Sequence, residues 1–472
     1  MVLVTPQPFS FGVKMSRYRT TPDEVSGMPP GVPYIVSNEV AERFSYYGMR
    51  TILVVFMTKY LMSANGASDT MSPEEAKTWF HTWSTAVYFT PLFGALLSDW
   101  FIGKYKTIIS LSIVYCLGHI ALAMDETRTG LAIGLTLIAI GSGGIKPCVS
   151  AHVGDQFGPK NKHLISRVFS WFYFAINLGA FASTLATPWL LEHYGPSVAF
   201  GVPGGLMILA TYVFWLGRNS FVHIPAGGKE FIKQSFSGEG LKAILKLLVI
   251  YVFVAFFWAL YDQTGSAWVL QAEHLDRQIF GMTVLPSQVQ AVNPLFILLF
   301  IPLFSYVIYP AINRVYKLTP LRKIGMGLFV TALAFVVTAY TEQLIEAGQS
   351  PSVLWQILGF AIITAGEVMV SITALEFSYT QAPHTMKSII MAIFFCSVSM
   401  GNAFTAAVNF FIQNDDGTVA LTGSEYYWFF TAVMTVVAVL YVFISRFYQP
   451  KTYIQGEQAI DEEPIEAEQG HL

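Results

Sequence analysis

Residues 38–50 read NEVAERFSYYGMR, two glutamates and two arginines inside an apolar run that extends from about 33 to 62. On a helix, at about 100° per residue, Glu39, Glu42, Arg43, Tyr46, Tyr47 and Arg50 fall within an arc of about 140°. The polarity is therefore a stripe along one face. What surrounds it decides its meaning. The 472 residues are 54% hydrophobic and only 12% charged, with a mean hydropathy of +0.51, too apolar for a soluble chain to bury in one core. Lipid must cover much of that surface. The net charge of −3 is small and the basic residues form no stripe of their own, so composition gives no reason to invoke nucleic acid. Cys116, Cys148 and Cys396 are widely spaced within apolar runs, a pattern of buried thiols rather than a disulfide framework or metal site.

A bilayer core needs about 20 mainly apolar residues per spanning helix. Outward from the first stripe the sequence divides into about twelve such segments: roughly 33–62, 78–101, 105–124, 130–153, 164–191, 197–217, 241–270, 290–312, 321–341, 352–380, 385–412 and 425–447. Gly141, Gly143, Gly144 and Pro147 interrupt the fourth, as a packed membrane helix tolerates. The longest internal connection, 218–240, divides six helices from six. The expected organisation is a cytoplasmic segment 1–32, an N-terminal bundle 33–217, a cytoplasmic linker 218–240, a C-terminal bundle 241–447 and a tail 448–472. That tail, with Glu457, Asp461, Glu462, Glu463, Glu466 and Glu468, reads as solvated and disordered. The stretch through Pro30 has no apolar core or small-residue cleavage site, so the first spanning helix is expected to act as the insertion signal.

Alternating the loops places twenty Lys and Arg on one side and four (Lys59, Lys77, Arg128, Arg277) on the other, with Arg43, Arg50 and Lys146 left within the membrane. The rule that cytoplasmic loops carry the cations then puts both termini in the cytoplasm. The three intramembrane cations face five carboxylates, Glu39, Glu42, Asp262, Glu367 and Glu376, which leaves carboxylates free to hold protons. Structural ion pairs are the alternative reading of any one of these charges. For the whole set, charge inside a membrane marks a pathway or proton relay.

At this stripe the chain resembles the proton-dependent oligopeptide transporter family of the major facilitator superfamily. NEVAERFSYYGMR is similar to that family's first-helix signature. FHTWSTAVYFTPLFGALLSDWFIGKYKTI (80–108), GSGGIKPCVSAHVGDQF (141–157), FYFAINLGAFAS (172–183), FWALYDQTGSAW (257–268) and GEVMVSITALEFSYTQAP (366–383) follow in the family's order. The resemblance covers about 33 to 447. It implies an all-α membrane protein with the major facilitator fold, two six-helix bundles around a cavity open alternately to each side.

Carried residue by residue, the resemblance implies that Glu39, Glu42 and Arg43 couple protons close to Lys146, and that Arg50–Asp262 and Lys146–Glu367 are salt bridges gating the cavity. Arg50 and Lys146 would take a peptide carboxylate and Glu367 its ammonium. Tyr46, Tyr88, Tyr173, Asn177 and Asn293 would take the remaining polar groups, with Trp258 and Phe394 lining side-chain pockets. For the aromatics, ordinary packing is the competing reading. His81, seven residues before Tyr88, would alone read as a hydrogen-bonded core histidine; by resemblance to the animal branch it becomes a second proton carrier, working near Asp262.

The loop 218–240 has no room for the extra helix pair of many bacterial members, nor Thr341–Ser352 for the large extracellular domain of animal ones. Phe394 replaces a tryptophan common in the family. The expectation is a bacterial inner-membrane symporter of di- and tripeptides with an animal-like core, working as a monomer in lipid without a cofactor. Plant members of the family carry nitrate and other anions, and a peptide sensor is a further alternative. No Ser/His/Asp arrangement, metal cluster or phosphate loop suggests an enzyme.

Overall fold

The computed structural model describes residues 18–22, 24–228, 238–381, 387–414, 418–448, 451–452 and 460–461. Residues 229–237 of the expected linker, and the tail acids other than the backbone of Asp461, lie outside the described residues.

The chain is a succession of long helices. In the first half these are α1 (Val32–Lys59), α2 (Pro73–Leu96, prolonged by a π-helical turn Leu97–Ile102), α3 (Lys104–Met124), α4 (Arg128–Asp155), α5 (Ile165–Tyr194) and α6 (Pro196–Leu216). In the second, α7 (Gly238–Tyr261) continues through a 3₁₀ turn, Asp262–Gly265, into α8 (Ala267–Ala272). A hairpin of β1 (Gln278–Ile279) and β2 (Met282–Thr283) and a 3₁₀ turn Pro286–Ala291 lead to α9 (Val292–Leu303), extended by a π turn and α10 (Tyr309–Asn313). Then come α11 (Pro320–Glu346), α12 (Leu354–Glu367), a π turn Val368–Ile372, α13 (Thr373–Thr380), α14 (Lys387–Phe411) and α15 (Ser424–Ser445).

Local chemistry starts these helices where a polar cap precedes the apolar run. Ser72 accepts a hydrogen bond from the Glu75 amide at 3.1 Å, with Glu74 and Glu75 in the first turn of α2, so cap and helix dipole agree. Thr127 and Thr319 cap α4 and α11 in the same way. The sharp corner between α5 and α6 is Gly195, at φ 81°, a conformation that favours glycine.

Among the described residues, eleven helices are long and apolar enough to cross a membrane. The twelfth span is α1, 28 residues long; its charged stripe lowers its hydropathy, so the helix that identified the fold is the one an apolarity criterion misses. Beside a small cluster of Ile297, Phe304, Val368 and Met369 in the second half, two large cores form. One gathers residues from Val32 to Phe221, the other from Leu247 to Tyr441, and α2 packs on α14 across the boundary between them. Within the first half α2 and α4 approach at glycines: a Cβ on Gly94 would land on the Gly144 carbonyl, and one on Gly143 on Thr90 Oγ1. The glycines thus permit close backbone contact, and Pro147 is accommodated inside α4.

Candidate functional site

Three polar constellations lie between or beside the two cores. The first is the α1 stripe itself. Arg43 Nε reaches Glu39 Oε1 at 2.6 Å and Glu42 Oε2 at 3.3 Å, and both carboxylates are buried. Ser142 on α4 donates to Glu42 Oε1 at 3.4 Å. Lys146, one turn further along α4, sets its ammonium over the Tyr46 ring, 3.8 Å from the centroid, with Tyr88 at 5.7 Å. The expected triad and its neighbouring lysine are therefore together.

The second constellation joins the halves. Arg50 Nη2 lies 2.7 Å from Asp262 Oδ1, as the sequence reading expected. His81 does not touch Asp262 directly. Asn402 on α14 stands between them, donating from Nδ2 to Asp262 Oδ2 at 2.6 Å and presenting Oδ1 to His81 Nδ1 at 2.7 Å. Ser266 Oγ meets the other ring nitrogen, Nε2, at 2.8 Å.

The third surrounds Glu367, placed where α12 passes into its π turn, an irregularity frequent at functional sites. Asn293 on α9 donates from Nδ2 to Glu367 Oε2 and to Thr364 Oγ1, each at 2.9 Å, and accepts from the Tyr261 hydroxyl at 3.2 Å. A cavity of about 760 Å³ opens beside it, lined by Tyr47, Arg50, Tyr173, Asn177, Tyr261, Asn293 and Glu367 and by an apolar wall including Phe169, Ile301 and Leu375. Its volume suits a small ligand.

The substrate residues named from sequence thus divide. Arg50, Tyr173, Asn177, Asn293 and Glu367 line the cavity. Tyr46, Tyr88, Lys146, Trp258 and Phe394 do not; Phe394 is buried against Tyr251 and Phe395, and Trp258 packs on Phe257 and Tyr261. The expected Lys146–Glu367 salt bridge is not formed in this structure. Lys146 rests on the Tyr46 ring while Glu367 is held by Asn293.

The reason is visible in what does tie the halves together. Among the described residues these contacts include Arg50–Asp262 and the His81 network, Lys59–Glu273 at 2.8 Å, Gln288 to the Leu185 carbonyl, Ser399 to the Thr85 carbonyl, Gln413 to Thr78, Lys77 over the Tyr426 ring and Tyr88 stacked on Phe395. The outermost lie at the end carrying Lys59, Lys77 and Arg128, the cation-poor end of the sequence count. The cavity wall runs from Arg50 and Asn293 to Phe169, near the start of α5, and Leu375 on α13, toward the cation-rich end.

Sequence reasoning missed Asn402, Ser266, Tyr261 and Thr364. Asn402 had a signal: Ser399, Asn402, Thr405 and Asn409 recur at helical spacing along the apolar α14 and are all buried, a polar face that lipid would not accept.

A helical membrane protein of two packed halves, with a charged cavity between them and buried ion pairs beside it, is the class that fold and site define. The comparisons narrow it. The family model described as POT family matches residues 105–239 and 234–429, and the chain belongs to that family. It is 40% identical over 365 residues to Peptide transporter family 1 of Drosophila melanogaster, covering 67% of this chain and 48% of that one. Solute carrier family 15 member 2 of Homo sapiens is 37% identical, with 67% and 49% covered. The chain thus spans about half the length of the curated relatives it matches. Among solved structures, the POT family transporter PepTSo superposes with a TM-score of 0.81 at 34% identity, covering 89% of this chain and 99% of that one. An auto-inhibited POT family peptide transporter gives 0.81 at 32%, covering 92% and 99%.

Proposed function

We propose that the chain is a proton-coupled symporter that imports di- and tripeptides by alternating access. The observation that carries the proposal is the cavity with a guanidinium, Arg50, and a carboxylate, Glu367, both on its wall. A free peptide is a zwitterion whose ammonium and carboxylate are common to every sequence, so a site gripping the termini accepts many side chains. Asn177, Tyr173 and Asn293 add neutral polar groups for the amide between them. The relatives' names, which are those of peptide transporters, support the cargo and speak against an enzyme.

In this reading the cation-rich end faces the cytoplasm of a bacterial inner membrane, and the structure is the inward-facing state. The outer gate is closed by Arg50–Asp262 and its neighbours. Lys146–Glu367 belongs to the opposite state, formed when the inner side closes. Glu39, Glu42, Arg43, His81 and Asp262 handle the proton; Arg50 and Glu367 hold the termini, with Lys146, Tyr46 and Tyr88 approaching the peptide as the halves rock. Trp258 bears on side-chain preference through its packing on Tyr261, and Phe394 through its packing on Tyr251 and Phe395. The working unit in this reading is a monomer in lipid.

The driving force is adequate. One proton moving inward gains about 2.3 kcal/mol per 100 mV, and half a pH unit adds about 0.7 kcal/mol. At about 1.4 kcal/mol per tenfold, that supports roughly hundredfold accumulation of a neutral zwitterion. A nitrate carrier is the weaker reading, since Glu367 on the cavity wall repels an anion. Purified protein in liposomes is expected to accumulate dialanine only with acid outside or a negative interior. Equal uptake without any gradient defeats the symport claim, and competition by nitrate but not dipeptide defeats the cargo.

A further inference from the structure

The amide of Asn402 is wholly buried, as is the His81 ring, with Asp262 almost so. Its orientation follows from its partners. The carboxylate of Asp262 can only accept, and it already takes Arg50 at Oδ1, 2.7 Å away; the hydrogens on Asn402 must therefore face Oδ2. That turns the amide carbonyl to His81, and a carbonyl also only accepts, so the hydrogen of a neutral His81 sits on Nδ1. Nε2 is then left to accept from the Ser266 hydroxyl. One charge state of Asp262 specifies one tautomer of His81 through a single amide.

Adding a proton reverses every link. With Arg50 facing Oδ1, a proton entering at Oδ2 makes that oxygen a donor, and the amide turns over to accept it, carbonyl to Asp262 and hydrogens to His81 Nδ1, giving up the donation from Nδ2 to the Val398 carbonyl at 3.1 Å. The imidazole then carries its hydrogen on Nε2 and donates to Ser266, whose hydroxyl has a second acceptor, the Gln263 carbonyl, within 3.5 Å of Oγ. The count balances: Nε2 gains a hydrogen, Nδ1 loses one, the Asp262 carboxyl gains one, and one proton has entered overall. Arg50 is then no longer paired to a carboxylate.

We propose that Asn402 is the positioning residue that locks the tautomer of His81 to the protonation of Asp262, so that one buried amide joins the proton carrier of the first half to the gate ion pair of the second. This rests on the proton-coupled reading above. The other groups bearing on His81 are Arg50 from α1 and Lys77, one turn earlier on α2 over the Tyr426 ring of α15. On α14 the neighbours Ser399, Thr405 and Asn409 are neutral, which leaves Asn402 alone to carry the link.

The test reads the tautomer directly. In protein reconstituted in lipid with ¹⁵N-histidine, the resonance lost in His81→Gln is expected to report hydrogen on Nδ1 at neutral pH. Asn402→Leu is expected to move it toward Nε2 and to cut gradient-driven dialanine accumulation at least about tenfold, leaving peptide counterflow without a gradient within about threefold. Asn402→Asp, nearly the same shape, sets a second carboxylate against Asp262 and is expected to raise the pH midpoint of driven uptake by about one unit. Hydrogen on Nε2 in the unmodified chain, or an unchanged tautomer in both Asn402 variants, overturns the proposal. So does equal loss of driven uptake and counterflow in a folded variant, which marks a purely structural residue. If the unmodified chain shows no proton drive at all, the transport reading fails, while the tautomer measurement still decides the role of Asn402.

Discussion

Glu367→Gln removes one charge and almost no volume. The carboxylate occupies the cavity wall with Oε2 accepting from Asn293 Nδ2 at 2.9 Å. A glutamine there can offer its amide oxygen to the same donor, so Asn293, Thr364 and Tyr261 are expected to stay in place. What is lost is the attraction between a carboxylate and the ammonium of a bound peptide. A hydrogen bond involving a charged group is worth about 1.5–3 kcal/mol, which at about 1.4 kcal/mol per tenfold weakens binding by about 10- to 150-fold. An N-acetylated dipeptide has no ammonium and is expected to lose less than about threefold. Titration calorimetry on the purified protein, with dialanine and acetyl-dialanine at one pH, reads both numbers. Equal weakening of the two ligands, or unchanged affinity for the free peptide, removes Glu367 from the ammonium site and leaves it a structural partner of Asn293.

Three further outcomes follow from the geometry. His81→Gln is expected to abolish accumulation driven by a pH gradient while sparing most equilibrium binding of dipeptide; driven uptake at the unmodified rate returns His81 to the packing class. Asp262→Leu strands the buried Arg50 and is expected to cost about 3–5 kcal/mol, seen as a lowered thermal unfolding midpoint that Arg50→Met in the same chain largely restores; a midpoint unmoved by the single change shows that the pair is not what holds the halves. Lys59→Ala breaks an ion pair whose lysine side chain is 48% exposed, and since such pairs are worth about 0–1 kcal/mol, uptake should change less than about fivefold; a larger loss makes that pair a gate in its own right.

The fold was legible because lipid imposes a coarse grammar: long apolar runs, cations sorted to one side, and the Gly141–Pro147 stretch that only a close-packed helix tolerates. The triad was legible for a different reason. Glu39, Glu42 and Arg43 are near neighbours on one helix, so helical spacing alone places them within reach. Asn402 and Ser266 were not, because their importance arises from helices brought together over separations of 321 and 185 residues from His81. Nor could spacing say that Tyr46 would shield Lys146 rather than line the cavity.

Lys146 and Glu367 show where a sequence reading meets a limit of kind. The charges are complementary and sit on helices of opposite halves, yet they are not paired here; in the alternating-access reading proposed above, such a pair would form in one state and be absent from the other. In the state seen here the ammonium is compensated by an aromatic face, a contact worth about 0.5–2 kcal/mol, and the carboxylate by an amide, so neither is stranded while the halves are apart. That arrangement is what alternation requires. Shifting a two-state equilibrium from 1:99 to 99:1 takes about 5.5 kcal/mol of differential interaction, within reach only if each state satisfies its charges separately. A permanent Lys146–Glu367 bridge would bias the protein toward one side; a lysine with nothing beside it would forbid the other. In the alternating-access reading, Tyr46 and Asn293, neutral in both states, therefore matter as much as the charges they hold.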